Sequence, residues 1–344
     1  MHRNKPITIY EIAEYLGVAV STVSRALHDD KRISPETIQK VKAAATKMGY
    51  LPNSAARSLR TGRSNTIGLI VRDINDEWCA SMMPAIEKNC ADHGMGLLLC
   101  NAENTSEKEE FYLRILRQRR VEGILLLTPV HPSPEPYFKY SKLIPLVLID
   151  LITEKTQISA VSVDHKMGAY LSAKYLIDSG HKEIAFILGP LNLSSSNAYM
   201  AGYKKAIEES GLQWKKDHFF TGNQTHAEDG ELAFQKFWNL DSKPTALASG
   251  SDLMAIGAMR AAQKMGVSVP NDLSIIGYDD IPLSSLVNPA LSTIRQNRDI
   301  LGEKAMQLLF MEMNVEKRNH QMLMIPPELI LRESTAPMNK PGNL

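Results

Sequence analysis

TIYEIAEYLGVAVSTVSRAL, Thr8 to Leu27, carries two short apolar stripes separated by a glycine. Ile9, Ile12, Ala13 and Leu16 recur at i, i+3, i+4 and i+7, one face of a helix, and Gly17 with Val18 supplies a turn. In the second stripe Val20, Val23 and Leu27 face one way, while Ser21, Thr22 and Arg25 face the other. That outer face lacks both the apolar residues of a core helix and the acids and long side chains of a solvated one. Ser34, Pro35 and Glu36 read as the cap, first position and dipole-favoured acid of a third helix, which runs through Ile38, Val41, Ala45 and Met48 to Gly49. Three short helices, the first two joined by a glycine turn, make a helix-turn-helix unit. The second helix of such a unit enters the major groove, where short polar side chains let it approach the base edges. Ser21 and Thr22 can bond bases or phosphates there, and Arg25 can make the bidentate contact to guanine.

The charge distribution agrees. The 344-residue chain has a net charge of only +1, yet Met1 to Arg63 hold eleven Lys or Arg against five Asp or Glu. A basic end on an acidic remainder fits a nucleic-acid-binding head joined to something else. The segment that follows, LPNSAARSLRTGRS (Leu51 to Ser64), has Asn53 to cap a helix of about two turns that Gly62 ends. A helix that short does not survive alone in water, and ordering eight residues costs about 8 to 16 kcal/mol of backbone entropy. It is therefore expected to order on DNA, with a second copy packing on Ala55, Ala56 and Leu59, and phosphates meeting Arg57, Arg60 and Arg63. Leu59 is a candidate wedge for a minor-groove base step.

From Thr66 the chain alternates ten short apolar strand candidates, from TIGLIV (66–71) to LSTIR (291–295), with seven helical stretches. Continuous apolar strands alternating with helices predict parallel sheets covered on both faces, two of them here, with a ligand at the strand C-terminal ends in the cleft between. The fold class is α/β. No GxGxxG, P-loop, HExxH or GxSxG motif is present, so an enzyme, a cofactor and a metal are not expected. His165, His181, His218 and His226 have no metal-ligand spacing with Cys or Glu and read as surface or capping residues. Cys79, Cys90 and Cys100 are odd in number and unpaired in spacing, which disfavours disulfides. Asp279 and Asp280 are adjacent on an extended segment, point oppositely, and do not form an acid/base pair. The apolar runs are too short to span a membrane and no signal peptide is evident, so a cytoplasmic, nucleoid-associated location is expected.

The stretch from TIYEIAEYLG to SNTIGLIV resembles the head, hinge and first core strand of the lactose-repressor (LacI/GalR) family. The likeness continues through YLIDSGHKEIAFILGP (175–190), GSDLMAIGAM (250–259), VPNDLSIIGYDD (269–280), PALSTIRQ (289–296) and PPELILREST (326–335). It implies a helix-turn-helix domain at 1–50, a hinge helix at 51–64, and at 65–344 a dimerisation and effector body like periplasmic binding proteins. The body's subdomains are expected at about 65–162 with 294–323, and at about 163–293 with 324–338. The resemblance further implies a homodimeric transcriptional regulator, a repressor, on a pseudo-palindromic operator, under allosteric control by a small sugar-like or polyol effector. Base-reading positions fall on Val20, Ser21, Thr22 and Arg25, minor-groove positions on Ala56 and Leu59, and phosphate-holding positions on Thr8, Tyr10, Ser24 and Asn53. Val20, with no hydrogen-bonding group, can contact only a thymine methyl.

Effector positions implied by the family fall on Asp73, Trp78, Cys79, Ser195, Asn197, Tyr199, Gln224, Ser251, Asp252 and Asp279. One of them departs from the pattern: Tyr199, before Gly202 and Tyr203, stands where the family commonly has arginine. A phenol cannot give the bidentate grip that arginine gives a carboxylate or phosphate, so anionic ligands are disfavoured unless Arg72 substitutes. Trp78 offers a stacking face, and Asp252 with Asp279 offers acceptors, which suits a polyol, sugar or amino-sugar. Two other readings stay open. The body could serve only dimerisation or a protein partner, or the chain could be a solute-binding protein or enzyme with an appended helical domain.

Overall fold

Thr8 starts the chain's first helix by donating from its backbone N and its Oγ1 to Glu11 Oε2, at 2.6 and 3.0 Å. The computed structural model describes residues 7–50, 63–151, 157–191, 193–315 and 318–338. It divides into two units, Met1–Ser64 and Asn65–Leu344. In the first unit α1 (Ile9–Leu16) ends at Gly17, whose φ of 63° is the left-handed conformation a glycine adopts freely. Helices α2 (Val20–Ala26) and α3 (Pro35–Met48) follow, and α3 is capped by Ser34 Oγ accepting from Thr37 N at 3.3 Å. Ile12, Val23, Ala26, Val41 and Ala44 form the buried centre of this small unit. Lys42 on α3 reaches Asp29 at 2.6 Å and so ties down the loop after α2. Asn53, Ala56, Arg57, Leu59 and Arg60 lie outside the described residues.

The second unit begins with β1 (Thr66–Val71), α4 (Glu77–Asp92), β2 (Gly96–Asn101), α5 (Ser106–Gln118) and β3 (Gly123–Leu127). A short helix α6 (Phe138–Ser141) precedes β4 (Leu146–Ile149) and β5 (Ser159–Val163). Next come α7 (His165–Asp178), β6 (Ile184–Leu188), α8 (Ser194–Glu209), β7 (Phe219–Thr221), α9 (Ala227–Trp238) and β8 (Ala246–Ser249). The chain continues as α10 (Asp252–Lys264), β9 (Ser274–Asp279), β10 (Ser292–Arg295), α11 (Arg298–Met313), β11 (Met322–Ile325) and β12 (Glu328–Ile330).

Two six-stranded sheets result, ordered β11-β5-β4-β3-β1-β2 and β12-β10-β9-β8-β6-β7. Every pairing is parallel except β10 with β12. Both faces of the central strands are covered, while edge strand β2 leaves Leu98 and Leu99 exposed. In β1, Ile67, Leu69 and Val71 join α4 and α11 in one core, while Ile70 joins Leu113 and Leu116 of α5 in another. Successive side chains of a strand face opposite ways, so such strands carry no polar face. The chain crosses between sheets after Val163, after Arg295 and after Ile325. The last two crossings follow β10 and β11 to their ends.

Strands β11 and β12 were not among the ten sequence candidates. Each is a short run whose place depends on a distant partner: β11 pairs with β5 and β12 with β10. The histidine reading needs correction as well. His165, His181 and His218 are buried, and each is hydrogen-bonded: His165 to Asp150, His181 to Thr245 and Ala336 O, His218 to Ser242 O. Two glycines set the contact between α9 and α10. A Cβ on Gly257 would lie 1.9 Å from Ala227 O, and one on Gly230 would lie 1.9 Å from Met254 O.

Candidate functional site

On α2, Val23 and Ala26 are fully buried, which fixes the opposite face outward. Ser21 and Arg25, one turn apart, are exposed there, and Thr22 and Ser24 are half-buried beside them. Val20 is half-buried and packs on the helical core, so only part of its side chain is left for a base. Tyr10 on α1 is 69% exposed. Thr8 is half-buried, with its hydroxyl engaged by Glu11. The first unit thus presents a short, narrow polar helix face carrying one guanidinium, the shape and chemistry the major groove admits.

In the second unit a cleft of about 690 Å³ lies at the C-terminal ends of strands from both sheets. Asp73, Trp78 and Tyr199 line it, as do Ser195, Gln224, Ser251 and Asp279. Cys79, Asn197 and Asp252 do not. Cys79 is fully buried, its Sγ 3.6 Å from Thr128 Oγ1, and burial pushes its thiol well up. Asn197 is exposed away from the walls. Asp252 is fully buried: Thr293 Oγ1 and Ser284 Oγ donate to it at 2.5 Å and Ile281 N at 2.9 Å. Its work is to pin the loop after β9. Helix geometry explains these misplacements, because consecutive residues are turned about 100° from one another and only one of them can face a given wall.

Trp78 also differs from expectation. Only 7% of it is exposed, its ring belongs to the core under the first sheet, and its Nε1 is buried without a partner. The broad stacking face expected from the sequence is turned inward. Tyr199 is 6% exposed and packs edge-on to His165, with ring centroids 5.1 Å apart, and against Tyr278 at 4.6 Å.

Residues that the sequence reading passed over complete the walls: Asp76, Asp150 and Gln296. Asp76 caps α4 by accepting from Trp78 N and Cys79 N at 2.9 and 3.3 Å. Asp150 follows β4 and meets His165 Nε2 at 2.5 Å. Gln296 follows β10 and donates from Nε2 to Asp279 Oδ1 at 2.6 Å. Arg72 also lines the cleft, with Nε and Nη2 donating to Thr128 O and Pro129 O at 3.1 and 2.9 Å. An available signal was position: an aspartate closing an apolar strand, as in PLVLID, lands at the mouth of a parallel sheet.

Thr128, Asp150 and Asp279, at the ends of β3, β4 and β9, have φ of 51°, 66° and 117°. Such conformations are costly for residues with a Cβ and gather at binding sites. Burial first, and then the neighbouring carboxylates of Asp252, Asp76 and Asp150, hold Asp279 well above the usual carboxylate range. Burial raises Asp76 as well. Asp280, facing the other way, is drawn down by Arg332 and Arg295 despite its burial. Among the described residues no group of three or more His, Cys, Asp or Glu is placed to hold a metal ion, and no helix is long and apolar enough to cross a membrane.

Comparison with known proteins fits both sites. Residues 8–53 match the family described as bacterial regulatory proteins, lacI family, and residues 173–335 match the periplasmic binding protein-like domain. The HTH-type transcriptional repressor PurR of Shigella dysenteriae serotype 1 is 35% identical over 335 residues, covering 96% of this chain and 97% of PurR. The lac repressor dimer bound to operator and the anti-inducer ONPF superposes with a TM-score of 0.87 at 28% identity, over 96% of this chain and 100% of that one. The transcriptional regulator CelR in complex with cellobiose gives 0.73 at 26% identity, over 95% and 99%. With a groove-reading helix in one unit and a two-sheet ligand cleft in the other, the chain belongs to the lacI family of bacterial transcriptional regulators.

Proposed function

We propose that this chain is a repressor that binds a pseudo-palindromic operator as a homodimer and responds to a small, polar, sugar-like effector held in the cleft. The observation that carries the reading is the pairing of an outward Ser21/Thr22/Arg25 face with a cleft of about 690 Å³ in one chain. That volume is in the range of small-molecule sites, which supports an occupied cleft over a body kept for dimerisation alone. Lac repressor bound to operator and CelR bound to cellobiose supply the precedents for the two halves of the reading.

In this reading Ser21, Thr22 and Arg25 read base edges, with Val20 touching a thymine methyl. Thr8, Tyr10 and Ser24 hold phosphates with Asn53, Arg57 and Arg60, while Ala56 and Leu59 enter the minor groove. Effector binding shifts the relation of the two sheets and, through the dimer, the spacing of the hinges. Its leverage is its differential affinity for the two states, about 1 to 3 kcal/mol in typical allosteric proteins. Sedimentation of the purified chain with a palindromic duplex tests the assembly. Two chains per duplex are expected, and one chain per duplex at saturation overturns the dimer.

A further inference from the structure

We propose that the effector carries a protonated amine, seated by Asp76, Asp150 and Asp279, so that the cleft selects a hydroxylated amine over neutral or anionic relatives of the same shape. This deepens the effector-binding reading and rests on it. Among the described residues the walls hold the carboxylates of Asp73, Asp76, Glu77, Asp150 and Asp279, with Arg72 the one Lys or Arg beside them and His226 the one lining imidazole. That guanidinium is already committed to two backbone carbonyls.

The hydrogen bonds of the three named aspartates leave capacity in the same sense. Asp76 accepts through Oδ1 from the first turn of α4, Asp150 meets His165 through Oδ1, and Asp279 accepts from Gln296 through Oδ1. Among the described residues no hydrogen bond reaches Oδ2 of any of the three. Gln296 lines the cleft and is 3% exposed, and its Oε1 is buried with no hydrogen-bond partner. In the ionised form of these carboxyls the vacant positions are acceptors, and a ligand that favours that form and fills them must donate.

An ammonium is the strongest such donor, and it adds positive charge beside three partly desolvated carboxylates whose nearest basic groups are His165 at Asp150 and the Arg72 guanidinium near Asp76. Burial and mutual repulsion already hold Asp279 well above the usual carboxylate range. A cation beside it favours the ionised form, so binding releases a proton. A neutral ligand leaves the repulsion in place, and an anion adds to it. Hydroxyls of the same ligand can meet Ser195, Ser251 and Gln224 on the facing walls.

The test is calorimetry on the full-length protein with matched probes: glucosamine, glucose, N-acetylglucosamine and glucuronate, together with the open-chain pair 1-amino-1-deoxysorbitol and sorbitol. The amines are expected to bind at least about tenfold more tightly than their neutral counterparts. Repeating the titration in buffers of different ionisation enthalpy should show proton release on binding. Asp150→Asn and Asp279→Asn should each lower amine affinity about tenfold, a larger loss than either causes for the matched neutral sugar, so that the amine preference shrinks. Amines that bind no better than their neutral partners, no amine binding at about 10 mM, or a preference for glucuronate overturns the proposal. DNA binding by the same preparation reads the regulatory function separately. Specific DNA binding without an amine preference sinks only this inference, and amine binding without specific DNA binding sinks only the repressor reading.

Discussion

His165 Nε2 lies 2.5 Å from Asp150 Oδ1, joining the first residue of α7, which packs on the second sheet, to the residue that closes β4 in the first. The same imidazole meets Tyr278 OH through Nδ1 at 3.3 Å and Tyr199 edge-on. A second tie runs through Arg298 at the start of α11, which donates to Ser81 Oγ on α4 at 3.1 Å and to Asp280 O at 2.7 Å. The two sheets are thus linked by polar contacts beside the cleft, in a place where a ligand's own contacts can add to them or displace them.

Replacing His165 with alanine removes the Asp150 bond and leaves the Tyr278 hydroxyl short of a partner. The expected cost is about 1 to 3 kcal/mol of stability, read as a lower urea midpoint with an unchanged slope. An unchanged midpoint would mean that this tie contributes nothing in solution.

The tight contact of α9 with α10 makes a second stability prediction. With Ala227 O only 1.9 Å from where the new methyl would sit, Gly257→Ala must push two helices apart. The expected loss is about 1 to 3 kcal/mol. A wild-type midpoint would show that the helices separate without cost.

The pH dependence follows from the buried carboxyls. Burial raises Asp252 to about 7, against the three hydrogen bonds it accepts, and burial with neighbouring carboxylates raises Asp279 well above the usual carboxylate range. A carboxyl raised on folding keeps its proton in the folded state after the unfolded chain has lost it, so stability falls as pH rises through the folded value. His181, lowered by burial, acts in the opposite sense only below its ordinary value near 6.5. Between about pH 6.5 and 8 the carboxyl effect therefore stands alone, and the Tm of the ligand-free protein should fall. A flat or rising profile over that interval contradicts the assignment.

On DNA, Arg25→Ala should cost about 1 to 3 kcal/mol and relax preference at one base pair of each half-site. With about 6 to 10 phosphate contacts per dimer, affinity should fall about 10³- to 10⁵-fold between 50 and 200 mM salt. Anisotropy titrations on one duplex, with single-base variants and a salt series, check both. A uniform loss across all sequences for Arg25→Ala would make it a phosphate contact.

The sequence made most of this architecture readable because its signals are local. Ile9 to Leu16 declare a helix by spacing, Ser34 and Gly49 mark both ends of α3, and continuous apolar runs such as GILLL declare buried parallel strands. What escaped depends on tertiary pairing: β11 needs β5, some 160 residues earlier in the chain, to become a strand. The cleft shows the same division. Asp73, Ser251 and Asp279 were placed by family position, but nothing local to Asp76 or Asp150 marked them as cleft residues. Only the fold shows that those two face one space with Asp279, while Asp252, beside Ser251 in the chain, turns into the interior.

Recognition of a defined DNA sequence by two copies of this chain is the property on which the proposed function rests. Selection of bound fragments from genomic DNA of the source organism, with the purified protein at near-physiological salt, tests it most directly. One enriched site with inverted half-sites around a flexible central step is expected, lost in Arg25→Ala. Bound fragments that share no sequence would contradict it.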